Sequence, residues 1–278
     1  MRALVSVLLV LAVAAPAGAA AKRRFYDEVF SHVKVDRALQ YGEAPGRDGA
    51  PERLLLDLYR PRGDHRARRP VMVWVHGGGF SSGTRTHRTL RSLALGSARR
   101  GFVSASVDYR ILMSRGCGTI DDECRAAAIN DQHDVQAAIR WLRRFAARYR
   151  IDATRICVGG TSMGGVLSYM VGTRSDDPGD SGNPGYASAV RCFVSISGGY
   201  PGGGGFANAG DAPGLLFHGT ADDVVPYSWS VDALHALRRA GVPAKLETIP
   251  RGRHVAYEAY HERYQVDTAR FLVRRMGL

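Results

Sequence analysis

The stretch that decides the reading is Ile156-Cys157-Val158-Gly159-Gly160-Thr161-Ser162-Met163-Gly164-Gly165. Three apolar residues of strand type run into a glycine-flanked serine. A helical stretch, Val166 to Val171, follows at once. A serine between strand and helix sits on a sharp turn that lifts its hydroxyl clear of the backbone, and side chains at the flanking positions would collide, so Gly160 and Gly164 are required there. The helix that starts beneath it turns N–H groups toward any developing anion.

Outward from this turn, short apolar runs alternate with helical patterns. Leu54 to Leu58, Val71 to Val75, Phe102 to Val107, Cys192 to Ile196, Leu215 to Phe217 and Leu246 to Ile249 all have strand length. Val135, Ala138, Ile139, Leu142, Phe145 and Ala146 share one helical face; Val231 to Ala240 and Ala256 to Met276 read as helices too. Apolar strands between helices predict one mostly parallel sheet covered on both faces, an α/β architecture. Asp176 to Gly185 and Gly198 to Asp211 read as surface loops, the first too irregularly spaced for an EF-hand calcium site.

A second glycine run, His76-Gly77-Gly78-Gly79-Phe80, follows the strand 71–75 and leaves its backbone free to aim N–H groups into a pocket. Together with G-x-S-x-G, this resembles the HGGG-type carboxylesterase/lipase branch of the α/β-hydrolase superfamily, from about Val35 to the end of the chain. The resemblance implies the α/β-hydrolase fold with little or no cap, and a Ser-His-Asp hydrolysis that uses no metal or organic cofactor. It places the nucleophile at Ser162 and the oxyanion donors at Gly78, Gly79 and Met163, with His76 structural. His218-Gly219-Thr220-Ala221-Asp222-Asp223-Val224-Val225-Pro226 resembles the acid loop of the family; the register selects Asp222 over Asp223 and leaves His218 as a strand-end histidine. Gly252-Arg253-His254 resembles the base loop, which makes His254 the base and His261 a solvated helix residue. Asp57 to Pro61 and Asp108-Tyr109-Arg110 also match. One departure is that relatives continue after Tyr109-Arg110 with a proline-rich cap segment, where this chain has Ile111 to Cys124 with two cysteines.

The whole chain has 278 residues and a net charge of +12, and its 45% apolar content suits one domain with a real core. Met1-Arg2, the apolar run Ala3 to Ala15 and Ala17-Gly18-Ala19 predict a signal peptide over 1–21, a catalytic domain over 22–278, and an extracellular or periplasmic destination. No later run suits a membrane span, so no stable insertion is expected after cleavage. Cys117 and Cys124 are then expected to pair, closing a short loop worth about 2.5 kcal/mol. Cys157 and Cys192, each inside an apolar run, read as small buried hydrophobes with free thiols. The basic charge lies in two arginine-rich stretches, Arg62 to Arg69 and Arg143 to Arg150. With no interleaved aromatics they read as solvated surface rather than a nucleic-acid site.

The expected substrate is a small-molecule or polymer-linked ester, short-chain or water-soluble. Two other readings stand beside it: a serine exopeptidase-like hydrolase, for which a chain of this length leaves no extra domain, and an inactive binding protein on the same fold.

Overall fold

The computed structural model describes residues 21–117 and 120–278. The expected leader over 1–21 lies outside the described residues apart from Ala21. Eight strands form one sheet in the order β1 (Val33–Pro45), β2 (Pro51–Pro61), β4 (Val103–Val107), β3 (Arg69–Val75), β5 (Ile151–Thr161), β6 (Cys192–Ile196), β7 (Gly214–Gly219), β8 (Ala244–Ile249). β1 and β2 are antiparallel, β2 meets β4 antiparallel, and every later neighbour is parallel.

Alternation along the strands builds two cores. Val71, Val73 and Val75 of β3 face one side, with Ile156 and Val158 of β5; Met72, Trp74 and Cys157 face the other. Onto the first face pack α2 (Asp122–Arg144), α4 (Met163–Thr173) and α5 (Tyr227–Arg239); onto the second, α1 (Arg88–Arg99) and α6 (Tyr257–Met276). A short α3 (Ala146–Tyr149) leads into β5. This is the α/β-hydrolase arrangement, with both sheet faces covered.

Two loops that could have carried a cap are held down. In the segment 197–213, Tyr200 and Phe206 pack on Tyr169, and Tyr169 Oη donates to Gly203 O at 2.7 Å. In the other loop, among the described residues 108–117, 120 and 121, Met113 N donates to Phe80 O at 3.1 Å, the expected Cys117–Cys124 disulfide is present, and Asp121 caps α2 by accepting from Cys124 N at 2.9 Å. None of the described helices is long and apolar enough to cross a membrane.

One expectation is corrected. Cys157 and Cys192 are fully buried, as read, but they form a disulfide rather than free thiols. The cause is register: β5 and β6 are parallel neighbours and set Cys157 opposite Cys192, with Cα atoms 4.8 Å apart.

Candidate active site

Ser162 opens α4 with φ 56° and ψ −126°, a costly conformation for a residue with a Cβ. It persists because both sides are fixed. Ser162 N donates to Ile196 O at 2.8 Å, β5 holds the entry, and α4 holds the exit. The neighbours must be glycines: a Cβ on Gly160 would stand 2.3 Å from Gly164 O, and one on Gly164 2.2 Å from Val75 O.

His254 lies on the loop between β8 and α6, which brings it to Ser162. Its Nε2 is 2.9 Å from Ser162 Oγ, and its Nδ1 is 3.0 and 2.9 Å from the two Asp222 oxygens. An ionised carboxylate only accepts, so Nδ1 carries the proton and Nε2 is left to accept from the serine hydroxyl. The base loop is pinned by Val255 N donating to Ser197 Oγ at 2.9 Å, and Ser197 is itself left-handed with φ 50°. No signal in the sequence marked Ser197.

The Asp222 side chain is fully buried after β7. Burial would raise its pKa, but His218 and His254 donate to it, as do Val224 N at 3.0 Å and Val225 N at 2.9 Å; together they hold it well below the usual carboxylate range. Asp223 instead faces solvent and pairs with Arg253 at 3.0 Å. The side chain that sequence reasoning undervalued is His218. It is fully buried, with Nε2 3.1 Å from Asp222 Oδ2 and 3.0 Å from Val225 O. Both neighbours are acceptors, so Nε2 is protonated, while Nδ1 meets Ser230 Oγ at 2.7 Å. The available signal was His218 sitting four residues ahead of Asp222 across a tight turn.

After β3 the triple-glycine loop bends sharply, with φ 126° at Gly78 and 64° at Gly79. A Cβ on Gly78 would stand 2.0 Å from Ser82 O. Gly78 O accepts from Ser81 N and Ser82 N, and Gly79 O accepts from Cys117 N at 3.0 Å. In a trans peptide the Gly79 N–H therefore points away from the Ser81–Ser82 turn. Gly78, Gly79 and Met163 line the same cleft as Ser162 and His254, about 1220 Å³ in volume, with His87, Tyr257 and Tyr260 on its walls. His76 lies beneath, stacked on Tyr109 at 4.1 Å with Nδ1 2.7 Å from Gly77 O; burial lowers its pKa, so it is a neutral prop for the loop. Arg85 ties the end of this loop to Asp57 at 2.9 Å and to Asp108. His261 is exposed on α6, apart from the other candidates.

The arrangement thus joins a hydroxyl, an imidazole and a buried anion in line, beside a glycine loop and a helix N-terminus. Such a set suits nucleophilic acyl transfer. The described residues contain no cluster of metal-ligating side chains.

The chain is similar to several known proteins. The BD-FAE family matches residues 56–190, and the prolyl oligopeptidase family matches residues 206–278. Liver carboxylesterase 1 of Oryctolagus cuniculus is 33% identical over 140 residues, which is 50% of this chain and 22% of that protein. Esterase LipC of Mycobacterium tuberculosis is 29% identical over 144 residues, 51% of this chain and 30% of that protein. The matched stretch is therefore under a third of either relative. Among solved structures, a Thermogutta terrifontis esterase superposes with a TM-score of 0.68 at 24% identity, covering 80% of this chain and 88% of that one. A truncated carbohydrate esterase from gut microbiota gives 0.73 at 21% identity, covering 90% and 98%.

Proposed function

We propose that the chain is a member of the HGGG-type carboxylesterase/lipase branch of the α/β-hydrolase superfamily and a secreted serine esterase acting through Ser162, His254 and Asp222, a reading supported by its similarity to the BD-FAE and prolyl oligopeptidase families and to carboxylesterases. The observation that carries the reading is the unbroken line of contacts from Ser162 Oγ through His254 to buried Asp222, all at 2.9 to 3.0 Å.

The chemistry follows from the protonation states. His254 Nε2 takes the Ser162 proton as Oγ attacks an ester carbonyl. Asp222 keeps the imidazole in the Nδ1–H tautomer and stabilises the imidazolium. The negative oxygen rests on Gly78, Gly79 and Met163 N–H groups, aided by the α4 N-terminus. His254 then protonates the leaving alcohol, and water repeats the path to free the acid. No cofactor enters any step.

The cleft is broad, and the two loops that could form a lid are packed down. We therefore assign short or water-soluble esters, small or polymer-linked. An open cleft buries few acyl carbons, each worth only ~0.8 kcal/mol. On p-nitrophenyl esters, acetyl to butyryl chains are expected to be fastest, with no jump in rate as droplets form; a maximum at about ten or more carbons, a chain long enough to need its own buried channel, would contradict this. Export rests on the leader at 1–21, and two disulfides are compatible with it.

The match of residues 206–278 to the prolyl oligopeptidase family favours a second reading, a serine exopeptidase. That segment holds Asp222 and His254, which both chemistries use. Parallel assays on p-nitrophenyl butyrate and on aminoacyl p-nitroanilides decide: turnover of the anilides alone would replace the esterase reading.

A further inference from the structure

The two arginine-rich stretches, 62–69 and 143–150, meet in three dimensions. β3 and β5 run side by side with Arg69 paired to Ile151. Arg69 N donates to Arg150 O at 3.0 Å, and Arg69 Nη2 to Tyr149 O at 2.7 Å. The junction forms a cleft of about 210 Å³ at the amino ends of the parallel strands, the sheet edge opposite Ser162. Six cations line it: Lys34, Arg60, Arg62, Arg69, Arg148 and Arg150.

Their neutralisation is incomplete. Asp64, the carboxylate at the wall, is held by Arg24 through two bonds of 3.1 and 2.6 Å and lies 4.0 Å from Arg69. Asp36 serves Arg60 and Lys34. Among the described residues Arg62, Arg148 and Arg150 form no ion pair. Arg69 is only 3% exposed. Burial lowers its pKa, and the nearby Arg60, Arg150 and Arg24 push the same way against Asp64. Arg60 and Arg148 sit 5.4 and 5.5 Å from the Tyr149 ring, which limits their freedom. Crowded, partly ordered guanidinium forks of this kind match a carboxylate, and an oxyanion would relieve the mutual repulsion.

We propose that this cleft binds the carboxylate groups of an acidic polysaccharide and tethers the protein to polymer by the face opposite its active-site cleft. The volume admits one acidic head group at a time. Nucleic acid fits less well: single strands are held on stacked aromatics, and the exposed large apolar side chains among the described residues, Tyr186 and Val224, lie away from this cleft. The inference stands on this cleft alone and does not depend on the esterase reading.

The test is binding of the full chain to polygalacturonate, measured as a salt-dependent Kd, with single-stranded DNA in a parallel arm. The variant Arg62→Gln/Arg148→Gln/Arg150→Gln is compared with Arg238→Gln/Arg239→Gln/Arg274→Gln, which removes the same charge from exposed positions on α5 and α6. The cleft variant should weaken polygalacturonate binding at least about tenfold and the control less than about twofold. Free galacturonate should release the protein where equal chloride does not. Thermal melting of both variants reports the fold, and the single exposed change Arg148→Gln should give the same ranking if the triple variant melts early. Equal weakening by both triple variants, no binding at all, release by chloride as readily as by galacturonate, or tighter binding of DNA through the same arginines would each overturn the proposal.

Discussion

Two carboxylates lie fully buried in different regions of this fold and meet opposite fates. Asp222, on the loop after β7, receives hydrogen bonds from two histidines and two backbone amides and is held ionised. Asp131, midway along α2, has no partner for either oxygen among the described residues. Burial, then the nearby Asp134, drives its pKa well above the usual range, against the pull of Arg110. Depth alone therefore does not set charge; the donors built around a group do. The turn after β7 supplies those donors, and a helix interior, with its amides already committed, cannot.

The sharpest way to break this comparison is to remove the charge of Asp222. Asp222→Asn leaves His254 without an anion and in the wrong tautomer, so kcat on p-nitrophenyl butyrate should fall by up to ~10⁴, while Asp223→Asn should change it little. Equal losses would show that the exposed neighbour shares the role.

His218→Leu removes one donor from Asp222 and keeps the rest. A hydrogen bond to a charged group contributes about 1.5–3 kcal/mol, so kcat should drop roughly 10- to 100-fold with KM nearly unchanged. His218→Gln, which can still donate, should recover part of the loss. If both substitutions leave kcat intact, Val224 and Val225 alone suffice to hold the acid.

Asp131→Asn should give the smallest effect and the opposite kind. The unfolded carboxyl titrates near ~3.9, and the folded one higher, so Asp131 favours folding fully below pH ~4 and loses that contribution as pH rises through the folded value. The asparagine variant has no such dependence. Its Tm relative to wild type should rise between pH 4 and pH 8 by a few degrees, since about 1 kcal/mol moves a domain of this size by ~2–4 °C. A difference that stays flat with pH would mean that Asp131 is ionised in the fold.

The same contrast governs what could be read from sequence. Gly160, Gly164 and the glycines 77–79 were legible because a local backbone demand leaves no other residue type. Asp222 was legible by register, and its neighbour Asp223 is solvated as that register requires. The first half of α2 was not: buried Asp131, Gln132, Asp134 and Gln136 interrupt the apolar period, so the pattern emerges only from Val135. β1 was missed as a strand because its alternation is mostly exposed at the sheet edge. The contact of His218 with Asp222 spans only four residues, a local spacing that was passed over when His218 was read as a strand-end histidine. The Cys157–Cys192 bond depends on which elements become neighbours, and no local pattern carries that. Ser197 was hidden for the same reason, since its hydroxyl acts on a loop 58 residues away.

The central claim is that Ser162 is the nucleophile of an acyl-transfer site. Its most direct test is a covalent serine-directed phosphonate, with the adduct mapped by mass spectrometry beside residual activity on p-nitrophenyl acetate. A single adduct on Ser162, activity lost in proportion to labelling, and Ser162→Ala folded but retaining less than about 1% of wild-type turnover is the predicted result. A folded Ser162→Ala protein that keeps its turnover, or an adduct elsewhere with full loss of activity, would contradict it.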